Sequence, residues 1–402
     1  MQNWTKEIIK GIIAFFVLNF VFVISLWLVW LLPDESIKIH LEQSISIINE
    51  EGAGWPFIFT HTAGSQLDNN TDCVMLLNTV TDRPENSPLQ DAMSVHGYPR
   101  YWHGYLVFLR PLMLLMSYTQ IRYVNMFLLM FLLVQNMFAM TERIGKGYAY
   151  ALLFALCLAY FIVIPFSLQF SSVINLMLIS NLFVLRKNRD SKELGIVTFL
   201  VIGMVTNFVD FLTAPLLTLG VPLITLLVLE EKDVALEKVK IMLGASFAWG
   251  VGYFGAWLSK WAIGSMILRT NVFADALNQA AIRTQGNAME SVSFIRTIRN
   301  NLAALTPPFV KNFPNLVVLA GVFLIMCCMI LVLFVDVKAV KKHWMMLAVC
   351  VYPIFWYAVL TEHSQLHFIF TYRELVMSVY GFLSFLFLVA KKNFNRRNVE
   401  NE

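Results

Sequence analysis

The chain reads as an all-α polytopic membrane protein of about ten transmembrane helices, with a large polar segment after the first. Three observations predict this. Of 402 residues, 58% are hydrophobic and only 14% charged, where a soluble domain carries roughly 25% charge. The apolar runs are about twenty residues long, enough for a helix across ~30 Å of hydrocarbon, and lack the ten-residue alternation of a membrane β-barrel. Positive charge gathers in short connectors between those runs.

The first run, Gly11 to Leu32, follows Lys6 and Lys10. It is too long for the apolar core of a signal peptide and has no small-x-small cleavage site, so it reads as a retained anchor. Residues 33–121 follow as an extracytoplasmic loop with interfacial helices. Within it, residues 104–118 are apolar but carry Arg110 and Pro111 at their centre. A charge at mid-bilayer costs about 2.5 kcal/mol or more, so this piece is expected to lie in the interface or dip partway.

Further spans are expected near 122–140, 147–165, 168–185, 194–210, 212–229, 241–259, 313–335, 344–360 and 374–390. Six connectors on one side then hold 18 of the 30 Lys and Arg residues. That is the positive-inside bias, and it puts both termini in the cytoplasm. Counting 104–118 as a full span would invert the later connectors and lose this bias. The external loop 260–312 contains FADALNQAAIRTQ and MESVSFIRTIRNNLAAL, whose apolar spacing suggests amphipathic helices lying on the membrane. Residues 1–402 form a single membrane domain without repeats.

Composition also excludes function classes. No basic tract interleaved with aromatics suggests nucleic acid, and no phosphate-loop, Rossmann or nucleophile-elbow signature occurs. Of five cysteines only Cys73 lies in the polar loop, so no disulfide framework is implied.

Four groups of residues carry potential chemistry. Asp68 and Asp72 are four apart, on one face of a helix, ahead of an apolar run. Such carboxylates can serve as a general base or hold a divalent metal, or one can simply cap the helix. Arg100, His103 and Arg110 sit among Tyr98, Tyr101, Trp102 and Tyr105, where guanidinium groups suit a lipid-linked phosphate and the aromatics suit an interfacial belt. Asp210 lies between two apolar runs, as a functional acid or a turn residue. His363 and His367 are four apart beside Glu362, with Arg373 following. They suit phosphate or sugar-hydroxyl contact, interfacial packing or a metal, although the order is not that of HExxH proteases.

This layout resembles the GT-C class of membrane glycosyltransferases, which includes protein O-mannosyltransferases and aminoarabinose transferases. The shared features are one anchor helix, a large first external loop with an acidic residue or pair, many further spans and a cytoplasmic N-terminus. The strings TDCVML, YPRYWHGYLVFLRPL, NFVDFLTAPLLTLG and HSQLHFIFTYR look like those of bacterial proteins of this kind. The resemblance implies a polyprenyl-phosphate sugar donor, a glycan or lipid acceptor of the cell envelope, and Asp72 or Asp68 as base. It also implies Arg100, His103 and Arg373 as phosphate contacts. Two other classes compete with this expectation. A transporter or flippase for lipid-linked sugars calls for repeated halves and charges deep in several spans, and a non-catalytic assembly subunit would use the first loop for docking.

Overall fold

The computed structural model describes residues 2–58, 62–81, 83, 85–187, 196–230, 234–285, 291–306 and 335–390. Among them the regular structure is helical, with only isolated bridges pairing Phe57 with Gln66 and Val335 with Ala390. Helix α1 (Gln2–Trp30) carries the first apolar run. The polar segment then folds as α2 (Asp34–Glu51), α3 (Asn69–Leu77) and α4 (Pro88–Met93). Next come α5 (Leu106–Leu115), α6 (Tyr118–Arg143), α7 (Lys146–Leu158), α8 (Leu168–Lys187), α9 (Ile196–Val209) and α10 (Leu217–Leu229). Helices α11 (Ala235–Leu268), α12 (Val272–Gln285) and α13 (Phe294–Leu305) precede the C-terminal group. That group is α14 (Val337–His343), α15 (Met345–Cys350), α16 (Tyr352–Val359), α17 (Thr361–Leu366), α18 (Phe368–Thr371) and α19 (Leu375–Val389).

Five helical stretches among the described residues are long and apolar enough to cross a membrane: Thr5–Trp30, Tyr118–Arg143, Leu168–Arg186, Ala235–Leu268 and Phe368–Val389. This is a helical membrane protein, but the count differs from the expected ten. At 147–165, 194–210, 212–229 and 344–360 the apolar helices have only 10–17 residues. At 1.5 Å per residue they are shorter than ~30 Å of hydrocarbon. Pro165 and the left-handed Tyr160 (φ +52°) end α7 early, and α15 and α16 are separated at Val351. Most of the expected span 313–335 lies outside the described residues, as do Cys327 and Cys328. The other three cysteines are free thiols.

The helix ends meet at two levels. At one, Gly104 N–H donates to Phe208 (2.8 Å), Leu216 N–H to Glu374 (3.1 Å) and the Tyr372 hydroxyl to the Ala159 carbonyl (2.9 Å). At the other, Lys238 Nζ donates to Leu227 (3.2 Å), Asp336 N–H to Val389 (2.9 Å), and Tyr148 packs on Phe387. Helices α7, α9, α10 and α19 therefore run between the same two levels. The outer surfaces of α6 and α11 are apolar, with Phe127 76% and Phe247 74% exposed, as expected where lipid rather than water is the solvent.

The polar segment is tied to the first level. Helix α2 buries Ile37, Leu41, Ser44 and Ile48 on one face and ends at Gly52, whose φ of +104° suits glycine. Helix α5 spans only ten residues, and Arg110 within it is wholly buried. Its guanidinium donates to the Val29, Leu32 and Thr79 carbonyls and pairs with Asp34. A complete set of acceptors is what makes a buried arginine tolerable.

Helices α9 and α11 pack through glycine. A Cβ on Gly203 would run into the Trp249 carbonyl, and one on Gly252 into that of Leu200. Small residues at such a seam let backbones approach closely. Gly203→Val or Gly252→Val is expected to destabilise the bundle by about 2 kcal/mol or more. Thermal unfolding in detergent checks this, and an unchanged midpoint would mean the helices do not touch there.

Candidate functional site

A cavity of about 360 Å³ opens at the first level, where the polar segment meets the helix ends. Its walls come from α3 (Asn70, Thr71, Val74, Asn78), the 95–103 turn (His96, Tyr98, Tyr101, His103), Gln169 of α8, Phe211, and His363, His367 and Phe370.

Local sequence explains why these groups face one another. Asp68 accepts from Thr71 N (3.0 Å) and Thr71 Oγ1 (2.8 Å), capping α3 and thereby orienting Asn70 and Thr71. The 95–103 turn is held in an uncommon backbone state. His96 (φ +46°) and His103 (φ +54°) are two of five non-glycine left-handed residues among those described. A third, Leu212 (φ +63°), offers its carbonyl to His363 Nε2 at 3.0 Å. Such strain persists only where surrounding contacts over-determine it, and it concentrates at functional sites.

The polar groups form a directed chain. Asn78 Nδ2 donates to the Tyr105 hydroxyl (2.9 Å), that hydroxyl faces His103 Nδ1 (3.4 Å), and His103 Nε2 donates to the Tyr98 carbonyl (3.0 Å). Burial holds His103 down at about 3, with Lys260, His96 and Arg100 pushing the same way, so the ring is neutral at physiological pH. On the opposite wall His363 and His367 lie 4.8 Å apart, and Phe370 stacks on His367 at 5.1 Å.

Beneath this surface lies Asp72. It is fully buried and accepts from the Tyr118 hydroxyl, Ser167 Oγ (3.0 Å), Leu168 N–H (2.9 Å) and Gln169 N–H (3.1 Å). The two N–H groups are orphan donors of the α8 terminus, which a carboxylate satisfies well. Burial still pushes Asp72 up to about 6, against the pull of those donors. Gln169 Oε1, by contrast, is buried without a hydrogen-bond partner at the cavity wall.

Of the nine residues singled out in the sequence, His103, His363 and His367 line the cavity. The other six do not line it. Arg110 stitches α5 to the end of α1 and cannot reach the cavity. Neutral His103 offers hydrogen bonds rather than a cation to phosphate. Arg100 is committed to Asp275 (2.7 Å) and stacks over Tyr98 at 4.0 Å. Asp68 and Asp72 act as helix anchors behind the wall, each already engaged by its donors.

Asp210 is buried and accepts from Thr213 N–H at 3.1–3.2 Å. Arg373 is buried against Phe170, its centre 4.0 Å from that ring, and its Nη1 donates to Ile369 (3.0 Å). Its field reaches Asp68, whose carboxyl is raised chiefly by burial. Nε and Nη2 of Arg373 have no hydrogen-bond partner among the described residues.

Among the described residues no group of three or more His, Cys, Asp or Glu side chains is placed to hold a metal. His61 lies outside them. Asn78, Gln169 and Phe211 join the lining without a local sequence pattern that marks them. No family model, curated protein or solved structure matches the chain.

Two outcomes follow from the buried acids. Asp72→Asn puts an amide donor against backbone donors and is expected to cost about 2 kcal/mol, read as a lower unfolding midpoint. Burial pushes Asp210 up to about 7, whereas an unfolded aspartate titrates near ~4. Between those values the folded state keeps a proton the unfolded state has lost. Stability is therefore fully present below pH ~4 and falls as pH rises through about 7, by up to about 4 kcal/mol. Asp210→Asn, which mimics the protonated acid, is expected to flatten the pH dependence of the midpoint. An equally steep profile in the variant would assign it elsewhere.

Proposed function

We propose that the chain is a GT-C-like membrane glycosyltransferase that moves a sugar from a polyprenyl-phosphate carrier to a cell-envelope acceptor on the extracytoplasmic side. The observation that carries this reading is the chemistry of the cavity wall. Asn70, Thr71 and Asn78 bring amide and hydroxyl groups to the lining, and Tyr98, Tyr101, Phe211 and Phe370 bring aromatic rings. Directional polar groups together with aromatic rings suit a sugar, which presents hydroxyls at its edge and C–H bonds on its faces. The positive segments 143–146, 238–240 and 336–343 belong to the opposite level of the bundle. The positive-inside rule then puts the cavity on the outer side.

In this reading the acceptor oxygen attacks the anomeric carbon while the bond from that carbon to the phosphate oxygen breaks. The lipid phosphate departs with the bonding pair, and the acceptor proton passes to a base. His363 is the residue we assign to that role. Its Nε2 lies 3.0 Å from the Leu212 carbonyl, which orients the ring at the cavity wall. Asp72 and Asp68 then serve by positioning α3 and α8 rather than by touching substrate.

Reconstituted protein supplied with labelled polyprenyl-phosphate sugars is the test. Transfer is expected from the native chain, with a loss of about 100-fold or more in His363→Ala and a raised KM in Asn78→Ala. Native-like turnover in folded His363→Ala would remove the base assignment. Absence of transfer from every such donor would remove the transferase reading.

A further inference from the structure

Helix α13 has its polarity reversed with respect to the protein interior. Thr297 and Asn301 are fully buried, whereas Ile295 is 79% and Leu302 45% exposed. At 100° per residue the helix divides into three sectors. Thr297, Asn301 and Ala304 face the protein, Phe294, Ile295, Ile298 and Leu302 form an apolar flank, and Arg296 and Arg299 form an exposed basic flank beside it.

The buried sector is fastened to the C-terminal cavity wall. Asn301 Nδ2 donates to the Ser364 carbonyl (3.0 Å) and its Oδ1 accepts from Thr371 Oγ1 (2.8 Å). Thr297 Oγ1 reaches the Thr361 carbonyl at 3.3 Å. At the helix start, Ser293 N–H donates to Gln365 Oε1 (2.8 Å), and Gln365 Nε2 returns a bond to the Ser291 carbonyl (3.1 Å). These contacts hold the segment that carries His363 and His367.

In water, exposing the apolar flank while burying threonine and asparagine would be the wrong way round. At a bilayer surface it is the favourable arrangement. Acyl chains take the isoleucine and leucine side chains, and anionic headgroups take the two arginines. We infer that α13 beds in an anionic lipid leaflet and fixes the His363–His367 wall of the cavity at headgroup depth. The inference stands on α13 alone and does not require sugar transfer. Should that reaction hold, it puts the cavity where a lipid-linked phosphate would arrive.

The test uses the full chain in nanodiscs of phosphatidylcholine with phosphatidylglycerol. Bimane is attached to Ile295→Cys and, separately, Leu302→Cys, with the labelled native chain as background for its own thiols. Nitroxide on the lipid near the headgroup is expected to quench both sites, and a water-soluble quencher to leave them bright. The reverse pattern, or quenching by neither reagent as under a second copy or protein partner, would overturn the docking. Replacing both arginines (Arg296→Gln with Arg299→Gln) is expected to remove at least half of the thermal stabilisation gained from phosphatidylglycerol over phosphatidylcholine alone. An unchanged gain would overturn the headgroup contact.

Discussion

The carboxylate of Asp72 is the joint on which the upper part of this molecule depends. Through four accepted hydrogen bonds it links α3 to Tyr118 at the start of α6 and to the first residues of α8. Three elements far apart in the chain thus converge on one buried side chain. Removing a charge from water is costly, and the donors of a helix terminus are among the few groups able to offset it. Around the same joint, Arg122 pairs with Glu51 and stacks on Tyr118 at 4.1 Å, which brings in the end of α2. The polar segment is therefore a fixed lid on the bundle, and the cavity beneath it is preformed.

The electrostatics of that cavity differ from those of an open anion site. His103 is held neutral, Arg100 is satisfied by Asp275, and Arg110 is consumed in structural bonds. What the walls present is neutral hydrogen bonding and ring faces. Such a surface suits a polyhydroxylated ligand better than a free phosphate, which would call for uncommitted guanidinium groups. Arg373 has two nitrogens without a hydrogen-bond partner among the described residues, but it stacks on Phe170 and does not line the cavity.

Much of this was legible in the sequence, for identifiable reasons. Run length and charge placement reveal a helical membrane protein because lipid admits few alternatives. The brief reach of α5 followed from the cost of Arg110 in a membrane. The pairing of His363 with His367 followed from helical spacing. Other features depended on contacts no local pattern encodes. Asp68 and Asp72 can each be read as base or cap from the sequence, and nothing local announces that Ser167, Leu168 and Gln169, nearly a hundred residues later, donate to Asp72. The left-handed turn at Leu212 carries no glycine or asparagine to announce it. The short helices at 146–158 and 217–229 hide within longer apolar runs, since hydropathy records burial but not where a helix stops.

A side chain at the cavity wall reports most directly on whether this pocket faces outward and receives a lipid-linked sugar. The decisive measurement is the rate at which a membrane-impermeant thiol reagent modifies Asn70→Cys in sealed, right-side-out vesicles, against the native chain as control. The account predicts modification from the external side and marked protection by a polyprenyl-phosphate sugar. Modification confined to the cytoplasmic side, or an external rate indifferent to the donor, would contradict it.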